Sequence, residues 1–200
     1  MSGRSMRICF IGDSFVNGVG DDTCLGWTGR LCAEARRAGW DVTHYNLGIR
    51  RDTSLDIQGR WRGEAEARLP EVLDGRLVFA FGANDCTLMD GRTRVAHDSS
   101  LDATRAILAD AAGWRKTLMI GPLPVCDDPS TDARILALSR DIAPLCARLG
   151  VPFLPVFGVA TGSDAWTSEA AAGDGTHPNA GGYAALAGAV AEWEAWRAWF

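Results

Sequence analysis

Lysine is almost missing from this sequence: Lys116 stands alone among 200 residues, and no basic cluster exceeds a few positions. With a net charge of −5 and an isoelectric point near 5.2, the chain lacks the positive stripe that neutralises phosphates, so no nucleic-acid partner is expected. Long apolar runs are missing too. None is long enough to span a bilayer. The opening MSGRSMRICF meets a polar turn after about six apolar residues, too few for a secretory segment. The six cysteines (Cys9, Cys24, Cys32, Cys86, Cys126, Cys146) include no CxxC pair and no metal-ligand spacing. This disfavours zinc and fits a reduced, cytoplasmic chain. The segment GVGDD has neither the GxGxxG spacing nor a GKS/T ending, which leaves nucleotide binding unsupported.

What is present is an alternation of strands and helices. MRICFI, DVTHYNL, RLVFAFG, TLMIG and the short, proline-marked VPFLPV read as five strands. RLVFAFG is a continuous apolar run of the kind covered on both faces. Between them, GWTGRLCAEARRAGW reads as a helix stopping at Gly39, and residues 49–70 have helical character. LDATRAILADAAG reads as a helix capped by Ser100, and TDARILALSRDIAPLCARLG as one bent at Pro144. A last helix is expected from Pro178, in its first turn, to the C-terminus. This order predicts one α/β domain over residues 1–200: a five-stranded parallel sheet between two helical layers, joined by right-handed crossovers.

Such sheets bind ligands outside the carboxyl ends of their strands. In FIGDSFVNGVG, Ser14 directly follows the first strand. Asn46 and Gly48 end the second; Gly82, Asn84 and Asp85 end the third; Asp174 and His177 precede the last helix. A serine hydroxyl is a poor nucleophile unless a base takes its proton. His177 is the one histidine with a carboxylate, Asp174, at a turn-like spacing, and Gly175 between them lets DGTH fold back. An oxyanion formed on attack needs N–H donors, and the amides of Ser14 and Gly48 and the side chain of Asn84 are available.

GDSF, NLGIRRDT, GAND and DGTHP resemble, in order and rough spacing, the four blocks of the SGNH hydrolases, or GDSL-type lipases and esterases. The resemblance runs through nearly the whole chain. It implies a three-layer α/β/α fold with a flavodoxin-like strand arrangement and no cofactor. Ser14 becomes the nucleophile, Gly48 and Asn84 oxyanion donors, His177 the base and Asp174 its orienting acid. One departure stands out: many members carry a glycine three residues beyond the oxyanion glycine, where this chain has Arg51, preceded by Arg50. Those arginines are expected either to pair with Asp52, Asp56 or another surface carboxylate, or to face the cleft and attract a carboxylate or phosphate on the substrate.

Other residues have plainer readings. His44 suits a packed or edge histidine, His97 a solvated one, Cys86 a small apolar filler, and Asp13 a fastener of the turn. In AEWEAWRAWF, Trp193, Trp196 and Phe200 form one helical stripe with Trp199 beside it. The stripe suits packing on the domain body, a homo-oligomer contact or an apolar patch near the substrate. Specificity should come from residues 49–63, 86–99 and 122–130. No apolar lid is visible, which favours a soluble esterase or thioesterase of small-molecule esters over an interfacial lipase. Deacetylation of a sugar or metabolite, and non-catalytic binding of a small molecule, stay open.

Overall fold

The computed structural model describes residues 5–200. In chain order its elements are β1 (Ser5–Gly12), α1 (Ser14–Asn17), α2 (Gly26–Arg37), β2 (Asp41–Gly48), α3 (Ser54–Glu66), β3 (Gly75–Ala80), α4 (Ala83–Cys86), β4 (Leu88–Met89), β5 (Arg92–Thr93), α5 (His97–Trp114), β6 (Lys116–Ile120), α6 (Pro129–Leu149), β7 (Phe153–Leu154), α7 (Phe157–Thr161), α8 (Asp164–Ala172), α9 (Ala180–Glu192) and α10 (Glu194–Arg197). The five expected strands form a parallel sheet in the order β2-β1-β3-β6-β7. Consecutive strands lie on opposite sides of β1, so a topological switch falls between β1 and β3, where open α/β sheets leave a crevice. The arrangement is the flavodoxin-like α/β/α fold.

Register decides what meets at that crevice. Gly12 ends β1 opposite Gly48 of β2 and Ala80 of β3. The chain therefore leaves three neighbouring strands at one level, and residues 13–14, 49–51 and 81–84 start side by side.

Helices α3, α5 and α6 pack together on one face, and α2 and α9, backed by α7 and α8, on the other. Each layer is anchored by an indole edge-on to a strand phenyl. Trp27 of α2 meets Phe10 at 5.6 Å, and Trp61 of α3 meets Phe79 at 5.4 Å. Every residue of β3 is buried, the apolar run at residues 77–80 and Arg76 before it alike. No helix among the described residues is long and apolar enough to cross a membrane.

Several local expectations change. Helix α5 starts at His97, four residues before Leu101. Ser100 is not its cap but a buried side chain whose hydroxyl donates to Asp85 Oδ2. Pro178 lies outside α9, which is capped by Asn179 through Ala180 N–H. The terminal helix is not continuous: Trp193 is extended (ψ 126°) and separates α9 from α10. Trp196 and Trp199 are buried on the chain's own body, with Trp193 and Phe200 packed beside them. The β4–β5 hairpin and helices α7 and α8 are too short or too weakly periodic to be read from the residues.

Candidate active site

Ser14 is the first residue of α1, a single turn packed at the end of β1. Asp13 caps it: its Oδ1 accepts the Phe15 N–H at 3.0 Å, the turn-fastening contact expected of it. As the first residue of a helix, Ser14 has no intrahelical acceptor for its own N–H. Burial pushes the Asp13 carboxyl up to about 7 against the pull of the Phe15 amide, and the nearby Asp85 and Asp52 carboxylates add to the rise.

His177 reaches this serine across the sequence. Its Nε2 lies 2.7 Å from Ser14 Oγ and its Nδ1 lies 2.7 Å from Asp174 Oδ2. Asp174 Oδ1 also accepts the N–H groups of Thr176 and His177, at 3.0 and 2.8 Å, in a turn where Gly175 supplies φ +86°. Burial alone would raise this carboxyl. The amide and imidazole of His177 and the amide of Thr176 outweigh burial and hold it down to about 2. An ionised carboxylate has no hydrogen to give, so the shared proton sits on Nδ1 and the Nε2 lone pair faces the serine.

Three contacts hold the two distant segments together. Tyr183 Oη donates to Val19 O at 2.7 Å, Asn179 Nδ2 donates to Asp22 Oδ2 at 2.7 Å, and Asp22 N–H donates to Asn179 Oδ1 at 3.1 Å. Gly20, at φ +91°, is the close approach: a Cβ there would lie 2.6 Å from Pro178 O and 3.2 Å from His177 Cβ. The glycine-punctuated turn after Ser14 is thus the seat of the histidine segment.

Asn84, half-buried in α4, donates from Nδ2 to Asp52 O at 3.1 Å and lines the cleft. Gly48 sits where no side chain fits, since a Cβ would lie 2.2 Å from Asn17 N. Its N–H donates to Asn46 Oδ1 at 3.0 Å, while Asn46 Nδ2 donates to Val16 O at 2.8 Å. Asn46 thereby ties the end of β2 to α1.

Beneath the site lies a support that composition did not reveal. Arg60 donates to Gly12 O and Leu47 O, both at 3.0 Å, and to Asp52 Oδ2 at 2.6 Å. One guanidinium so joins the ends of β1 and β2 to the loop whose carbonyl orients Asn84. Asp85, fully buried, accepts the Ser54 N–H at 2.8 Å and the Ser100 hydroxyl, fixing α4 to α3 and α5. The Arg60–Glu64 pair is visible in sequence as an i, i+4 spacing, but the carbonyl contacts have no sequence signature.

The cleft holds about 160 Å³ and is lined by Ser14, Asn84 and His177 together with Arg50, Arg51 and Val125. Neither expected partner is free for the arginines: Asp52 pairs with Arg60, and Asp56 takes the Thr53 N–H and hydroxyl. Arg51 adopts φ +70°, the left-handed backbone for which glycine is the default residue. Of the remaining candidates, His44 packs against Thr28 and Phe10. Cys86 is buried, and burial pushes its thiol up to about 12. His97 is exposed, yet it bonds Asp141 Oδ2 at 2.8 Å across two helices, a partner 44 residues away that local spacing does not show.

The GDSL-like lipase/acylhydrolase family model matches residues 10–185. Among solved structures, the acetylxylan esterase Axe2 from Geobacillus stearothermophilus has a TM-score of 0.79 at 17% identity, covering 96% of this chain and 97% of that one. A lipase/acylhydrolase from Enterococcus faecalis has a TM-score of 0.74 at 22% identity, with 92% and 93% covered. LAE5, an alpha/beta hydrolase enzyme from the metagenome of Lake Arreo, Spain, has a TM-score of 0.73 at 22% identity, with 96% and 95% covered. No curated protein matches the chain in sequence. The four motif blocks, the sheet order and the family match agree: this chain belongs to the GDSL-like lipase/acylhydrolase family, as a carboxyl-ester hydrolase of the SGNH type.

Proposed function

We propose that the chain hydrolyses esters of small molecules carrying a short acyl group, acetyl foremost, through a Ser14–His177–Asp174 triad and an acyl-enzyme intermediate. The observation that carries this reading is the unbroken hydrogen-bonded line from Asp174 through His177 to Ser14 at the wall of a small cleft. Ser14 Oγ attacks the acyl carbon as its proton passes to His177 Nε2. The alcohol then leaves with that proton, and water, deprotonated by the same nitrogen, releases the acid and restores the serine. The oxyanion is received by the Ser14 N–H and Asn84 Nδ2. The Gly48 N–H joins them by sharing or leaving Asn46 Oδ1.

Size supports a short acyl group. A volume of about 160 Å³ matches roughly five water molecules and is smaller than the clefts that enclose drug-sized ligands. The fold shared with an acetylxylan esterase favours an O-acetyl sugar or metabolite as a second reading of the substrate. Six unpaired thiols support a reducing, cytoplasmic location.

A fluorophosphonate probe should label the Ser14 peptide and fail to label His177→Ala. Turnover of p-nitrophenyl esters should be best at acetyl and decline with chain length, and acetylated sugars test the second reading. Well-folded protein that neither labels nor turns over any ester would replace the enzyme by a small-molecule binder.

A further inference from the structure

The cleft wall carries charge that the ester-hydrolase reading leaves unused. Arg50 and Arg51 line the cavity containing Ser14 and His177. Neither guanidinium makes an ion pair or hydrogen bond among the described residues, because Arg60 and Thr53 already occupy Asp52 and Asp56. Arg51 holds this place at a conformational cost. Its φ of +70° lies in the left-handed region that favours glycine, which an arginine enters only against steric strain. A non-glycine residue kept in that region beside a reactive serine points from strain to function.

The groove adjoining this cleft has the opposite sign. Beyond Thr87, Val125 and Thr176, which border both stretches, it is lined by Asp127 and Asp128. An anion is therefore attracted at one end and repelled at the other, within a chain of net charge −5.

We propose that Arg50 and Arg51 form an anion subsite selecting esters that carry a carboxylate or phosphate within a few bonds of the scissile bond. The planar guanidinium fork suits both groups, and the pair orients the ester so that its anionic part lies over the arginine loop and its neutral part toward Asp127. The inference rests on the serine-hydrolase reading and narrows its substrate class.

The test compares kcat/KM for matched acetyl esters: an O-acetyl hydroxy acid, its methyl ester, and the acetate of a phosphorylated alcohol. A monoester of a dicarboxylic acid places the charge on the acyl side instead. The wild-type ratio of anionic to neutral turnover should fall roughly 10- to 100-fold in Arg50→Gln or Arg51→Gln. It should also fall with added salt. Arg51→Gly removes the charge while relieving the left-handed backbone, so the same loss of ratio there assigns the effect to the guanidinium. Equal losses on neutral and anionic esters, or an unchanged ratio in all three variants, overturn the subsite. Fluorophosphonate labelling of the same preparations separates the two failures: absent labelling overturns the hydrolase reading, whereas labelling with an unchanged ratio overturns the subsite alone.

Discussion

The two ends of the sheet are built from different physics. At the carboxyl end, hydrogen bonds of defined direction join short polar segments: Asp174 to His177, His177 to Ser14, Asn46 to Val16 and Gly48, Arg60 to two strand ends and one loop. At the amino end the closure is aromatic. Trp196 touches Phe10, Trp199 and Phe200 with ring centroids 5.1–6.2 Å apart, and Trp40 meets Phe200 at 5.4 Å. Arg76, buried at the start of β3, donates to Trp199 O at 2.6 Å and lies 5.2 Å from its ring. Aromatic packing tolerates small shifts and scales with buried area. A proton relay fails when one atom moves out of reach. Stability and chemistry therefore depend on separate residues, and substitutions should affect one without the other.

The largest effect should come from the polar end. Ser14→Ala or His177→Ala should lower kcat by roughly 10⁴- to 10⁶-fold while the thermal midpoint stays close to the parent, because neither side chain fills the core. An equally large fall in midpoint would break the separation. Next comes the aromatic end. Trp196→Ala should cost about 3–5 kcal/mol of stability in a denaturant titration, with kcat/KM per folded molecule preserved. A loss of activity in the folded fraction would show that the C-terminal segment reaches the site.

This division also explains what the residues disclosed. Strand positions followed from apolar runs, because burial acts on many residues at once, whereas the strand order came from the resemblance to the SGNH hydrolases. Ser14 and Asn84 could be located because each follows a strand in a short polar motif, and His177 because the polar DGTHP segment precedes the last helix. The supporting contacts were hidden. Arg60 bonds to Gly12 O and Leu47 O, main-chain atoms that any residue would supply, and Asp85 holds Ser100 only because α5 begins earlier than its apolar period suggests. The break at Trp193 was equally hidden, since a stripe of tryptophans reads the same whether one helix or two present it. Arg51 was legible only as a departure from glycine, and its left-handed backbone gives that departure a physical content.

Asn84 sharpens the comparison within the polar end. Its Nδ2 donates to Asp52 O and the residue lines the cleft, so under the proposed mechanism Asn84→Ala should remove one oxyanion donor and raise the barrier by about 3 kcal/mol, read as kcat with little change in KM. A change confined to KM would move Asn84 from transition-state stabilisation to substrate binding.

The smallest effect concerns Asp13, a carboxyl buried beside Ser14. Its carboxyl is raised to about 7 in the folded chain and titrates near 3.9 when unfolded. Between those values folding takes up a proton, so stability contributed at low pH is lost as pH rises, and the loss is complete above about 7. Asp13→Asn keeps an oxygen for the Phe15 N–H but carries no charge to bury. Its stability relative to the parent should therefore rise by about 2 kcal/mol from about pH 5.5 to about pH 7.5, measured by denaturant unfolding. A difference that stays flat over that interval would mean that Asp13 is ionised in the fold throughout, with its charge balanced by the amides of the turn rather than left as a penalty.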